Sequence, residues 1–129
     1  MKTLLLVKFA VEVLAGLAFA LFPSSLFVIL LGVPLDASGA YAFRMFGAAI
    51  FAMGFACWLA HDAGNSPAAR ALIMAMLLYD AAFVALLLSA RLAAGLTGIA
   101  LWPTVLLHSV LAIYSLLQLR NSLPALRAG

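Results

Sequence analysis

The sequence predicts an all-α integral membrane protein: a four-helix bundle with a short interfacial segment between the first and second spans. Three observations carry this reading. The 129 residues are 68% hydrophobic and only 9% charged, with a mean hydropathy of +1.25, whereas a soluble domain carries about a quarter charged residues. Four segments are apolar over the roughly 20 residues that a membrane crossing takes. The few charges sit near the ends of those segments or singly inside them. So few charges cannot cover a water-facing surface, and one transmembrane domain over residues 1–129 accounts for the length.

The first span is expected at about residues 4–22. Lys2 precedes an apolar run, and Ala18-Phe19-Ala20 has the small-x-small form of a signal-peptide cleavage site. Lys8 and Glu12, however, interrupt the stretch that a cleaved signal keeps apolar, so the segment reads as a retained span. Pro23 stops it. The stretch "PSSLFVILLGVPLDAS", residues 23–38, has an apolar core too short to cross, and "GVPLD" breaks the chain again. An interfacial half-helix lying against the bundle suits it, because bare backbone groups are costly in lipid. The second span is expected at 39–60. In the loop "HDAGNSPA", Ser66 is a helix cap and Pro67 suits a first helical turn. The third span follows at 68–90 and the fourth at 98–119.

Basic residues orient the bundle. Lys2, Lys8, Arg70, Arg120 and Arg127 belong to the N-terminal side, and only Arg44 and Arg91 to the other. Basic residues favour the cytoplasmic side, which puts both termini in the cytoplasm of a bacterial inner-membrane, multi-pass protein. The net charge of +3 is spread over helix ends, so nucleic acid is not a partner to expect. The partner the composition implies is the lipid bilayer. The single cysteine, Cys57, builds neither a disulfide framework nor a thiolate metal site. Small residues form ridges: Ala40, Ala48, Ala52, Ala56 and Ala60 on the second span, and Gly16 and Ala20 above Glu12 on the first. Such ridges let helices approach closely in lipid, either within the bundle or in a homo-oligomer or larger membrane complex.

The informative residues are the polar ones at membrane depth. Counted from the span centres at about 1.5 Å per residue, Glu12, Asp80 and His108 all fall near the midplane. A charge there costs at least ~2.5–3.5 kcal/mol on insertion scales. Three ionisable groups at one depth on three helices suggest a shared interior cluster. Lys8, one turn below Glu12 at i−4, is its expected partner along the same helix face. Read as a pair, Lys8 and Glu12 neutralise each other for insertion; read as a site, Glu12 is a carboxyl that holds and exchanges a proton. Thr104, His108, Ser115 and nearby Gln118 form a polar stripe on the fourth span, which points His108 inward. There it docks the fourth helix through a hydrogen bond, or meets a ligand. Asp80 has bulky apolar turn neighbours and no obvious partner; Arg44 would have to reach down from the outer leaflet. Tyr79 is expected at a different azimuth. Arg44, beside Tyr41, reads as an interface residue that meets lipid headgroups.

Cofactor chemistry finds no support in the spacing. His61 and His108 differ in depth by roughly 15 Å, half the hydrocarbon thickness, so one chain supplies no bis-histidine haem site. A metal triad of Glu12, Asp80 and His108 lacks the Glu-x-x-His spacing of carboxylate-bridged bundle sites. Neither metal nor cofactor is expected. No phosphate-binding glycine loop, nucleophile elbow or His-Glu-x-x-His motif occurs.

The segments "LLGVPLD" (30–36), "FRMFGAAIFAMGFACWLA" (43–60), "AAR" (68–70), "MLLYDAA" (76–82) and "LWPTVLLH" (101–108) resemble those of a group of small, uncharacterised bacterial four-span inner-membrane proteins. That resemblance covers most of the chain. It implies four helices in a bacterial inner membrane and brings no assigned activity. Size and helix count are similar to DoxX-like proteins. "EV" at 12–13 looks like the small multidrug resistance transporters, whose first-helix glutamate exchanges protons for cationic drugs; only Glu12 corresponds. The expectation is therefore a non-enzymatic membrane protein, an accessory subunit or a binder of a small ligand or lipid. The alternatives are a proton-coupled small transporter using Glu12 and a membrane enzyme or redox anchor using His108.

Overall fold

Each break in the apolar pattern is met by a helix end. In the computed structural model, which describes residues 1–122, α1 spans Lys2–Leu21. It closes with the Phe22 N–H donating to the Ala18 carbonyl at 2.8 Å. Pro23, which lacks a donor the first turn would waste, opens α2 (Pro23–Leu31). Gly32 ends α2 in the left-handed region at φ +81°, its N–H donating to the Val28 carbonyl; glycine adopts that conformation without strain. The Asp36 carboxylate accepts from the Gly39 N–H at 2.7 Å and so caps α3 (Ala37–Ala60). Ser66 Oγ accepts from the Ala69 N–H at 3.1 Å and starts α4 (Pro67–Leu92), as its position before Pro67 predicted. α5 is Leu101–Ser122. Arg127, counted in the charge asymmetry, lies outside the described residues.

The fold is all-helical. α1, α3, α4 and α5 are long and apolar enough to cross a membrane, and no more than 28% of the most apolar stretch of any of them is buried inside the protein. The outward faces are hydrophobic as well: Leu59, Leu78, Leu86 and Leu106 are each about two-thirds exposed or more. A water-soluble monomer rarely shows apolar patches beyond a few hundred Å², so this surface suits lipid.

The helices pack as two intimate pairs, α1 with α3 and α4 with α5. Glycine makes the first pair close. A methyl group added at Gly16 would lie 2.6 Å from the Phe51 nitrogen and 2.7 Å from the Gly47 carbonyl oxygen. One added at Gly47 would lie 2.7 Å from both the Ala20 nitrogen and the Gly16 oxygen. Here backbone touches backbone, as small residues permit in lipid. The first span supplies Gly16 as expected, with Ala20 half-buried beside it. The alanine ridge of the second span does not pack this way. Ala48 and Ala52 are exposed, and the buried face of α3 is Gly47, Ile50, Gly54 and Cys57. Glycine allows a closer approach than alanine, so the glycine face wins the contact.

One end of the bundle gathers the start of α1, the α3–α4 loop and the end of α5. The Met1 amino group donates to Gln118 Oε1 at 3.0 Å, Lys2 pairs with Asp62 at 2.6 Å, and Asn65 donates to the Ser122 carbonyl at 3.3 Å. At the opposite end, α2 is held by the segment before α5. The Thr97 N–H donates to the Leu31 carbonyl at 3.1 Å and the Ala100 N–H to the Ile29 carbonyl at 2.9 Å. These bonds satisfy carbonyls that a helix end leaves bare. They also explain why α5 begins three residues after the expected start of the fourth span: residues 97–100 leave the helical path to reach α2. Phe19, Phe27 and Phe43 lock α2 to its neighbours through edge-to-face contacts at 5.0 Å between ring centres.

Candidate functional site: a buried charged cluster beside an apolar cavity

Helical spacing delivers four ionisable side chains to one interior point. On α1 the buried residues Leu4, Leu5, Lys8, Glu12 and Gly16 form one stripe. On α4 the stripe is Ala69, Ile73, Met76, Asp80 and Leu87. On α5 it includes Leu101, His108, Leu111, Ser115 and Leu119. Where the three stripes meet, Lys8, Glu12, Asp80 and His108 are all at most 5% exposed. The common depth counted from the sequence therefore corresponds to a real meeting in space. Donor atoms of Glu12, Asp80 and His108 lie within 4.8 Å of one another.

The pairing inside the cluster differs from the expected one. Lys8 does not pair with Glu12 on its own helix; its ammonium donates to Asp80 Oδ2 across the bundle. Asp80 is thus far from partnerless: His108 Nδ1 meets its other oxygen, Oδ1, at 2.9 Å. The long lysine stem spans the gap between α1 and α4 and delivers its ammonium to Asp80. Arg44 takes no part. It is exposed, with its guanidinium carbon 5.9 Å from the centre of the Tyr41 ring. Through this contact His108 links α5 to α4.

Glu12 is left with an oxygen, Oε1, that is sealed from solvent and has no hydrogen-bond partner among the described residues. Tyr79, half-buried, faces it from α4. Tyr79 is missed by the sequence reading, which expects it at another azimuth. In the structure the cluster lies where α4 faces α1 and α5, and the 100° step from Asp80 to Tyr79 keeps both residues on that side. A signal was present in the i, i+4 aromatic pair Tyr79 and Phe83 at the depth of Asp80. Phe83 meets the His108 ring edge-on at 4.7 Å, and Tyr79 does so at 5.7 Å.

Ser115 belongs to the stripe but not to the cluster: its Oγ donates to the Leu111 carbonyl of its own helix at 2.7 Å. A serine one turn beyond a carbonyl satisfies itself locally. Thr104 stands on the other side of His108, where it lines a cavity of about 160 Å³ between α1, α2, α4 and α5. Apolar walls come from Val11, Ala15 and Phe19 of α1, Leu26 and Leu30 of α2, and Phe83 of α4. The polar wall is Tyr79, Thr104 and His108. The second turn of α2 is thus a wall of the cavity and not merely a connection.

Chemically, two carboxylates and an imidazole form a donor set for a hard or borderline cation. Lys8 already places a positive charge on Asp80, so a divalent ion would have to share that carboxylate with an ammonium. The arrangement suits hydrogen bonding and proton exchange better. His61, the other histidine, stacks on Trp58 at 4.8 Å and bridges to Asp62 at 2.9 Å at the bundle end, away from the cluster. No protein-family model, curated protein or solved structure matches this chain.

Proposed function

We propose that this chain is a non-enzymatic, multi-pass protein of the bacterial inner membrane, with both termini cytoplasmic, that binds a small apolar molecule beside His108. It acts alone, as a homo-oligomer, or as an accessory subunit of a larger membrane complex. The observation that carries the reading is the cavity of about 160 Å³ whose one polar wall is backed by the buried cluster. Ligand sites have this composition: apolar walls with a few placed polar groups. At the surface, Arg44 and Tyr41 meet lipid headgroups in this reading. The test is a titration of the protein in lipid nanodiscs with toluene, following the NMR signals of Tyr79, Phe83 and His108. Saturable shifts in the parent protein, absent in Ala15→Trp where the indole fills the cavity, are expected. Unchanged signals in the parent would sink the reading.

A second reading, proton-coupled transport through Glu12, is favoured by the sealed and unpartnered Oε1. Glu12→Gln keeps the shape and removes the exchangeable proton. In that reading the variant folds normally and loses any pH dependence of ligand release; release that stays pH-dependent in the variant would exclude Glu12.

A further inference from the structure

We propose that the cavity selects a molecule of about one six-membered ring bearing a hydroxyl group, and that His108 Nε2 accepts the hydrogen bond from that hydroxyl. The inference rests on the ligand-binding reading above and adds the chemistry of the ligand's polar group.

Size comes first. The cavity holds about 160 Å³, and an apolar protein cavity of ~150 Å³ takes up benzene. The occupant is therefore a single ring or a branched chain of similar bulk.

The polar group follows from the order of hydrogen bonds in the cluster. Lys8 donates to Asp80 Oδ2, and a carboxylate that receives an ammonium is acceptor-only. His108 Nδ1, at 2.9 Å from Asp80 Oδ1, must then be the nitrogen that carries hydrogen. Lys8 and Asp80 cancel in charge. A neutral imidazole adds no charge to that pair, which a membrane interior favours. In neutral histidine with hydrogen on Nδ1, Nε2 is an acceptor.

Nε2 receives no hydrogen bond from the described residues, and it is not among the sealed polar atoms. His108 forms part of the cavity wall, so this lone pair is offered to the cavity. The neighbouring polar groups do not change the preference. Tyr79 faces Glu12, and Thr104 offers both a donor and an acceptor and so discriminates against neither kind of group. A hydroxyl fills the need of Nε2. An ether or ketone of equal size presents a second acceptor and leaves the Nε2 lone pair unmet.

The experiment uses the whole protein in nanodiscs, labelled with ¹⁵N at histidine and titrated in turn with phenol, anisole and toluene. Three results are expected. The spectrum of the free protein shows His108 with hydrogen on Nδ1. All three rings bind, and only phenol moves the Nε2 resonance. Replacing His108 by Phe reduces the preference for phenol over anisole by about tenfold, the worth of one satisfied hydrogen bond. Hydrogen found on Nε2, or a phenol complex with an unmoved Nε2 resonance, overturns the hydroxyl inference while toluene binding leaves the cavity reading intact. Failure of all three rings to bind overturns the cavity reading and this inference with it. The tautomer and the Nε2 shift are read on the parent protein, so the test does not depend on the His108→Phe variant folding.

Discussion

Around Gly16 and Gly47, α1 and α3 meet with nothing between their backbones. Around Lys8 and Asp80, α1 and α4 stand apart, and long side chains fill the gap. Both contacts lie on the same buried stripe of α1, about two turns apart. In lipid neither gains from the hydrophobic effect between helices. The glycine contact is held by dispersion between close surfaces, and its specificity is steric: any added atom strikes backbone, which cannot step aside. The charged contact is held by hydrogen-bonded ions, and its specificity is chemical: each group is tolerable only because its partner is there. A steric seam should therefore fail under any enlargement, and a chemical seam only under an unmatched change.

The largest effect is expected from unmatched loss in the charged seam. Lys8→Met strands the Asp80 carboxylate in the interior. Removing one partner of a buried pair costs about 3–5 kcal/mol, read as lost thermal stability in detergent. Adding Asp80→Asn removes the stranded charge and keeps an acceptor for His108 Nδ1, so the double variant should recover most of the loss. If it is as unstable as the single variant, the seam is not chemical in this sense.

Gly47→Ala comes next. The new methyl would sit 2.7 Å from backbone atoms of both Ala20 and Gly16, and overpacking of this kind costs about 1–3 kcal/mol. Trimming a neighbouring side chain should not rescue it, because the two nearest obstacles are backbone atoms. A stability equal to that of the parent would show that the pair can part without loss, against a steric seam.

Ser115→Ala should shift stability by less than about 1 kcal/mol, since the lost hydrogen bond runs to a carbonyl already engaged within its own helix. A loss comparable to that of Lys8→Met would mean that Ser115 supports the cluster after all.

The smallest effects belong to the exposed ends. Backbone donation from Gly39, then the Ser38 hydroxyl, holds the Asp36 carboxyl below its usual range, and the hydrogen bond from Lys2 does the same for Asp62. A carboxyl that binds its proton less readily in the folded chain stabilises the fold above the ordinary carboxylate range. That contribution fades as pH falls through the lowered folded value. A slight decline in melting temperature below the ordinary carboxylate range, reduced in Asp36→Ser and in Asp62→Asn, is the expected observation.

Much of this architecture was legible because it depends on local chemistry. Long apolar runs, Pro23, Ser66 and Pro67 located the ends of the four spans to within three residues. The depth of Glu12, Asp80 and His108 was legible too, since rise per residue is fixed. Partner choice was not. Lys8 and Glu12 are neighbours by helical spacing, but a lysine stem reaches across to another helix as readily as along its own, and only the placement of α4 decides which. The packing face of α3 was equally hidden, because small residues occur on two of its faces and periodicity ranks them alike. The cavity was invisible for a related reason: its walls come from four helices, none of which looks unusual alone.

The hydrogen bonds from Thr97 and Ala100 to the end of α2 carry a consequence for biosynthesis. Residues that complete the second helix lie more than sixty positions later in the chain. While α1 and α3 emerge from the ribosome they can close their glycine contact at once, but α2 then ends on carbonyls that have no partner. Those carbonyls are satisfied only when the segment before α5 arrives, together with His108 behind it. The anchored α2 wall of the cavity and the His108 side chain thus take their places in the same late step of synthesis, and a nascent chain halted after α4 presents neither.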